Sequence, residues 1–277
     1  MEIKILRQAL GQVWLIEETG AQHYAELLFH VLEGNVKAGL FDDVEMPYRA
    51  NSSGIKTPNG SVFVLPVQGI MMQDDFCGEL GTDSMSNLVK AVNRDSSIQS
   101  IVLKMRTPGG SVAGTENFSN TVKTSQKPVV AWAEMMCSAG YWVGSAANEV
   151  VISGQTSMVG SIGTMATLRD TRANKEKNGS KEIVMFATRS VHKNRSTLDA
   201  LDGKPENYVK EFLDPLNAAF ENSVSANRAG KIDLKKEDVM TGKVYIGQNI
   251  VEVGLADTIG SLDYAIKRSL QLAKSIK

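Results

Sequence analysis

The sequence predicts an α/β protein with a largely parallel sheet flanked by helices. From residue 61 onward, short apolar runs rich in β-branched residues alternate with stretches that repeat apolar residues every three or four positions. Strands that alternate with helices form right-handed crossover units, and such units build parallel sheets. With 277 residues, 42% of them hydrophobic, the chain is long enough for one large domain with an extension.

Composition excludes several classes of function. The formal net charge is -1, so we expect no nucleic-acid partner and no anionic membrane surface as a partner. Two cysteines, Cys77 and Cys137, do not make a disulfide framework, and a reducing cytoplasmic compartment is expected. The first residues lack the pattern of a secretory signal, and no apolar run reaches the roughly 18 to 20 residues of a membrane span. No cofactor and no metal ion is expected.

Residues 1–60 are predicted to form an N-terminal extension. Apolar residues recur at helical spacing over 21–32, which predicts an amphipathic helix. Residues 49–60 are polar, contain Gly and Pro, and indicate a linker. We therefore predict an extension over 1–60 and a second domain over 61–277.

The second domain contains a regular series of predicted elements. Its strands are predicted at 61–71, 98–107, 127–133, 148–153 and 181–188. Its helices are predicted at 80–93, 111–124, from about 138, at 208–228 and at 262–273. Thr107-Pro108-Gly109-Gly110 is predicted to be a tight turn. Pro215 fits the fourth helix only in a first turn that starts near Asp214.

One stretch has the pattern of a nucleophile site: Trp132 to Gly144, reading WAEMMCSAGYWVG. Ser138 lies between small residues where a strand gives way to an apolar helix. A serine at this place is either a nucleophile or a helix N-cap, and the two roles are compatible. Cys137 is the rival nucleophile; neighbours on an extended backbone point to opposite sides, so only one of the pair is expected to face the site.

Gly109 and Gly110 could supply hydrogen-bond donors. Two glycines between a strand and a helix leave backbone N–H groups at the positive end of the helix, which suits an oxyanion or a phosphate. A plain strand-to-helix turn is the alternative. The spacing of a Walker loop or of a dinucleotide fingerprint is absent.

A serine nucleophile needs a base. The histidines are His23 and His30 in the extension and His192 near Lys193. A Ser–Lys dyad requires an uncharged lysine, and burial favours the neutral form. His192 and Lys193 are therefore the two candidate bases.

Five ordered segments resemble the S49 peptidases, the signal peptide peptidase A family of the Clp/crotonase superfamily. They are TPGGSVAG (107–114), KPVVAWAEMMCSAGYWVGSAANEVVIS (127–153), MVGSIGT (158–164), RSVHKNRS (189–196) and TGKVYIGQNIVEVGLAD (241–257). The resemblance implies a Clp/crotonase-like fold of repeated ββα units. It implies a set of roles: Ser138 as nucleophile, Lys193 as base, Gly109, Gly110 and Ala139 as the oxyanion hole, and Ser161 as the residue that orients the lysine. A plain serine in a glycine turn is the alternative for Ser161.

Absence of the N-terminal anchor of membrane-bound members makes the chain similar to the bacteriophage branch, whose head-maturation proteases cleave scaffold and capsid proteins. The prediction is a homo-oligomeric serine endopeptidase acting on protein or peptide substrates, in the cytoplasm of a bacterial host or within an assembling prohead. Alternatives are signal-peptide-peptidase-like degradation of short or membrane-derived peptides, a crotonase-type CoA-thioester enzyme, and a non-catalytic assembly module. The crotonase alternative needs carboxylates near the site, and Glu134 and Glu149 are the ones in the core stretch.

Overall fold

The computed structural model describes residues 14–16, 55–57, 60–75 and 79–275. The predicted helix over 21–32 and most of the predicted linker lie outside the described residues. The strands are β1 Trp14–Ile16, β2 Ile55–Thr57, β3 Gly60–Met71, β4 Ser100–Ser111, β5 Val129–Cys137, β6 Glu149–Ile152, β7 Met158–Gly160, β8 Val244–Ile246 and β9 Thr258–Ile259. The helices are α1 Thr82–Arg94, α2 Thr115–Lys123, α3 Ala139–Ser145, α4 Arg172–Lys177, α5 Arg195–Leu201, α6 Glu206–Tyr208, α7 Asp214–Asn227, α8 Gln248–Glu252 and α9 Leu262–Ser275.

The sheet is largely parallel, as predicted. Its main order is β2-β3-β4-β5-β6-β9, and every neighbouring pair from β3 to β9 is parallel. Two short strands follow one another along one edge of β5, because β6 pairs with its first half and β7 with its second half. Antiparallel strands are added at β2, β1 and β8. The α/β fold class is therefore confirmed.

Helices cover both faces of the sheet. In β4, Ile101, Leu103 and Met105 belong to the larger core, while Val102 belongs to the smaller one. This alternation follows from the two-residue period of a strand, which directs successive side chains to opposite faces. Helices α1, α2, α3 and α7 contribute to the larger core, and α9 supplies the smaller core with three apolar residues, Ala265, Ile266 and Leu270.

Most of the predicted elements are present with shifts of a few residues. Helix α7 starts at Asp214 with Pro215 in its first turn, as predicted, and a π-helical turn over Val209–Leu213 precedes it. No helix in the described part of the chain is both long and apolar enough to cross a membrane.

Two local predictions are wrong. The segment Thr107–Gly110 is not a tight turn, because β4 continues to Ser111 and pairs there with both β1 and β3. Residues 181–188 are not a strand, because within the described ranges no neighbouring strand pairs with them. Their apolar side chains face solvent, with Ile183 and Met185 exposed by 72% and 86%.

A buried arginine links the end of α7 to residues 254–257 and, through Asp257, to β6. Arg228, 1% exposed at the end of α7, donates to the carbonyl of Gly254 and to Asp257 Oδ2, the latter at 2.9 Å. The same Asp257 oxygen accepts the Val150 N–H of β6 at 2.7 Å. Burial disfavours the Asp257 carboxylate, but Arg228 and Lys231 outweigh that effect and hold its pKa below the usual range.

Replacement of Asp257 by Asn should destabilise the fold, because it leaves the Arg228 guanidinium buried beside a neutral amide. We expect a loss of about 2 kcal/mol in the free energy of unfolding at pH 7, measured by urea denaturation. A depressed carboxyl pKa stabilises above the unfolded value of about 3.9, so the gap from wild type should close as pH falls below about 4.

The matched control is Asp170→Asn, which removes an exposed pair with Arg172. Solvent screens that pair, so little change in stability is expected. Equal losses in the two variants would contradict the anchoring role of Asp257.

Candidate active site

Ser138 lies at the junction between β5 and α3 in a strained backbone conformation. Its φ of 52° and ψ of -117° fall where residues with a side chain are rarely found. The Ser138 N–H donates to Gly160 O of β7 at 2.8 Å, and Ser138 O accepts the Trp142 N–H of α3 at 3.0 Å. Ser138 is 1% exposed, its hydroxyl makes no capping bond, and its Oγ has no hydrogen-bond partner among the described residues. Backbone bonds therefore fix the position of Ser138, while its hydroxyl is left unpaired within the described residues.

Close packing of α3 maintains this conformation. A Cβ on Gly140 would lie 2.5 Å from Thr107 Cγ2, so only glycine lets the helix approach β4 this closely. Trp142 stacks on Phe220 of α7, with ring centroids 4.8 Å apart. The Tyr141 hydroxyl donates to Leu255 O at 2.9 Å, and burial raises the pKa of Tyr141, which keeps it a neutral donor.

Cys137 occupies a packing position. It is fully buried at the end of β5, and its Sγ lies 3.8 Å from Met158 O of the adjacent strand β7. The contact ties the thiol to the sheet. The structure therefore makes Cys137 a packing residue of the sheet.

Gly109 and Gly110 lie at the end of β4, near the junction that carries Ser138. Thr107 pairs with Met136 in parallel register, so the next residues of β4 pass the end of β5, where Ser138 follows. The glycine pair therefore continues β4 past the end of β5, near the junction that carries Ser138. A Cβ on Gly110 would lie 1.9 Å from Met71 O, so this position requires glycine. Ala139 begins α3, where first-turn N–H groups lack intrahelical acceptors.

Thr107 organises the glycine pair, and the sequence did not identify it. Its Oγ1 donates to Gly69 O at 2.6 Å and accepts the Gly109 N–H at 3.1 Å. The hydroxyl thus bridges the bulge between β3 and β4 and orients the Gly109 peptide. A threonine directly before Pro-Gly-Gly at a strand end is the signal that could have indicated this role.

Ser161 also lies close to Ser138. Cys137 pairs with Gly160, so the residues that follow them, Ser138 and Ser161, leave the sheet side by side. The Ser161 N–H donates to Lys243 O at 2.8 Å. Tyr245 of β8 lies opposite Val159, two residues before Ser161. Burial and the nearby Glu237 carboxylate raise the pKa of Tyr245 to about 12.

Backbone strain marks the predicted site independently. In the described ranges, the non-glycine residues with positive φ are Ser138, Ser161 and Asn194. The first two are predicted site residues; Asn194, which adjoins Lys193, adopts the left-handed conformation that asparagine tolerates. Such strain persists only where the surrounding structure enforces it, and it concentrates at functional sites.

Lys193 is not brought to Ser138 within this chain. It is exposed, as is His192, and both belong to residues 169–195, which we call the arm. The whole arm is exposed except for half-buried Ser190. Since Ser138 Oγ has no partner among the described residues, the contact between serine and lysine is not formed, and the expected burial of Lys193 is not found.

The two candidate carboxylates do not serve a crotonase-type site. Glu134 is exposed on β5, and Glu149 is held by Arg268 of α9, with Oε2 and Nε 2.6 Å apart. Glu149 lies at the start of β6 and pairs with Val130 at the start of β5, whereas Ser138 follows the other end of β5.

Fold and site together define an α/β protein with a buried serine at a strained strand-to-helix junction near a glycine pair. Comparison with known sequences adds the family: the description of peptidase family S49 matches residues 121–276, more than half of the chain. The chain belongs to peptidase family S49.

Two individual relatives are identical to this chain at less than a third of the aligned positions. The chain is 30% identical over 236 residues to capsid assembly protease C of Escherichia phage lambda, covering 79% of this chain and 50% of the relative. It is 27% identical over 244 residues to Protease 4 of Salmonella typhi, covering 83% of this chain and 38% of the relative. The chain thus spans half or less of the length of these relatives. A membrane-bound stomatin-specific protease superposes with a TM-score of 0.48 at 12% identity, over 76% of this chain and 84% of that chain.

The strain at Ser138 predicts an unusual order of stability among variants. Ser138→Gly should be about 1 kcal/mol more stable than Ser138→Ala, because glycine tolerates positive φ and alanine does not. Urea denaturation of the two variants measures the difference directly.

Ser86, in the interior of α1, is the matched control, because it is a buried serine in an ordinary helix. There the order should reverse, with Gly about 1 kcal/mol less stable than Ala. Greater stability of the alanine variant at both positions would show that Ser138 is not strained.

Proposed function

We propose that the chain is a serine endopeptidase with a Ser138–Lys193 dyad. Ser138 Oγ attacks the substrate carbonyl while Lys193 accepts its proton; the lysine then returns the proton to the leaving amine, and water hydrolyses the acyl-enzyme. Backbone N–H groups of Gly110 and Ala139 stabilise the oxyanion, the Gly109 N–H joins them by exchanging its bond to Thr107 Oγ1 for one to the oxyanion, and Ser161 orients the lysine. The observation that carries the proposal is the buried Ser138 Oγ, without a polar partner among the described residues, near the glycine pair in a chain of family S49.

The domain assignment follows the same proposal. Residues 61–277 form the peptidase domain, and residues 1–60 form an extension that contributes β1 and β2 to its sheet. The family match over 121–276 lies entirely within the proposed domain.

A homo-oligomer completes the site in this proposal. Helix α4 has no buried residue, and so short a helix is not stable in water without packing. Exposed apolar residues lie beside it in the arm: Ile183, Val184, Met185, Phe186 and Val191. A neighbouring copy would cover this surface, and the arm of that copy would carry its Lys193 to Ser138.

Two inactive variants should restore activity when combined. Ser138→Ala and Lys193→Ala should each lose hydrolysis of a quenched fluorescent casein. After subunit exchange at equal amounts, about a quarter of the wild-type rate should return, since half of the serines are intact and half of those meet an intact lysine. Light scattering should show an oligomer at micromolar concentration.

Neighbouring residues provide the controls. Cys137→Ala and His192→Ala should keep most activity, whereas Lys193→Arg should be inactive because a guanidinium retains its proton. A mixture that stays inactive, or a monomer that hydrolyses casein, would refute assembly of the site between copies. Loss of activity in His192→Ala would identify a histidine base instead.

The physiological role we propose is maturation of phage capsid or scaffold proteins, in a bacterial host or its proheads. Its support is the 30% identity to the capsid assembly protease of phage lambda. The alternative is degradation of short or membrane-derived peptides, which the similarity to Protease 4 favours. A crotonase-type reaction receives no support from the positions of Glu134 and Glu149.

Substrate profiles should distinguish the two roles. Incubated with candidate phage scaffold and capsid proteins, the wild-type chain should cut them at defined sites, and Ser138→Ala should not. Gel electrophoresis and mass spectrometry of the fragments measure this. Efficient hydrolysis of signal peptides without any cleavage of scaffold proteins would favour the degradative role.

A further inference from the structure

The end of β4 is paired on both sides. On one side lies β3, with Ile70 opposite Gly109 and Met71 opposite Gly110. On the other side lies β1 of the extension, antiparallel, with Trp14 opposite Ser111, Leu15 opposite Gly110 and Ile16 opposite Gly109. The glycine pair is thus the middle strand of a three-stranded arrangement.

The position of β1 relates it directly to the nucleophile. Strand β5 pairs with β4 only as far as Met136, and beyond that point β1 takes its place along the same edge. Ser138 follows the end of β5, so β1 occupies the edge of β4 on which the serine lies. With β1 in this place, Ser138 is 1% exposed.

A substrate peptide would need the same edge. An extended peptide binds an open strand edge through backbone hydrogen bonds, largely independent of its side chains. A peptide whose carbonyl reaches Ser138 and the glycine N–H groups must run along residues 109–111. Strand β1 and an extended substrate therefore compete for one set of backbone groups.

We propose that Trp14–Ile16 is an internal strap that closes the substrate edge until a peptide or an assembly step displaces it. The inference rests on the proposed peptidase function and adds a regulation of the same site. A three-residue ladder contributes few backbone hydrogen bonds, each of modest net strength, so the strap can be released without unfolding the sheet.

A reversible disulfide between β1 and β4, which we call the lock, tests the strap in the full-length chain. Directly opposite residues of an antiparallel pair have Cα atoms about 4.5 to 5.5 Å apart, within the range that a disulfide spans. In the variant Trp14→Cys/Ser111→Cys, oxidation should lower casein hydrolysis at least about tenfold, and reduction should restore it. Peptide mapping confirms the 14–111 bond, and Trp14→Cys alone is the control, with equal rates in both redox states.

A variant that weakens the pairing of β1 with β4 tests whether release of the strap opens the site. Leu15→Pro removes a backbone N–H and fixes φ, which weakens the pairing with Gly110. The rate at which a phosphonate labels Ser138 should rise several-fold relative to wild type. Leu15→Ala keeps the N–H and is the matched control, with a rate close to that of wild type.

A binding measurement separates failure of the strap from failure of the proposed function. In a Ser138→Ala background, a fluorescent peptide of residues 11–19 should bind the reduced lock and not the oxidised lock. Equal binding, or equal hydrolysis, in both redox states overturns the strap. Redox-dependent binding together with hydrolysis that persists in Ser138→Ala leaves the strap in place and overturns Ser138 as the nucleophile.

Discussion

The hydrogen bond from the Ser138 N–H to Gly160 O is the contact on which the site depends. It joins the end of β5 to the end of β7 and holds Ser138 at a φ that an unsupported residue would leave. Such a conformation costs roughly 1 to 3 kcal/mol, so the surrounding packing must supply at least that much. This stabilisation comes from the packing of α3, which contacts β4 closely at Gly140 and stacks on Phe220 of α7 through Trp142.

The sheet and the arm differ in how much of each is buried within this chain. Residues 136–145, on both sides of Ser138, are all buried, and Arg228 and Asp257 bind the C-terminal part to β6. The arm has almost no buried residue and exposes a continuous apolar stretch. A rigid half that carries the nucleophile and an uncovered half that carries the lysine are what a site completed by assembly requires. Under the proposed assembly, such a division would keep hydrolysis from starting before the copies meet.

In the proposed strap, pairing at the end of β4 adds a second level of control in the same place. Residues 109–111, near Ser138, have backbone groups suited to an extended peptide, and in this structure residues 14–16 pair with them. Access to the serine and arrival of the lysine then become separate events. Both act on one small region of the sheet, between Gly109 and Ser161.

Local patterns were enough to predict most of the fold. Strand and helix periodicities located β3, β4, β5, β6, α1, α7 and α9, because burial of one face or both leaves a repeat within a few residues. The same reading placed Ser138 at a strand-to-helix junction. It failed at 181–188, where β-branched residues have the propensity of a strand but no neighbouring strand pairs with them.

By itself, then, the sequence determined the order of the elements, the sheet they form and the two residues proposed for the dyad. Tertiary structure alone decided that Cys137 packs while Ser138 is turned out of the strand, that the Thr107 hydroxyl orients the Gly109 peptide, and that Lys193 lies uncovered. It also decided that residues 14–16 pair with residues 109–111. The physical reason is range: periodicity records what each short segment buries, whereas strand pairing and side-chain burial depend on partners distant in the chain or on another copy.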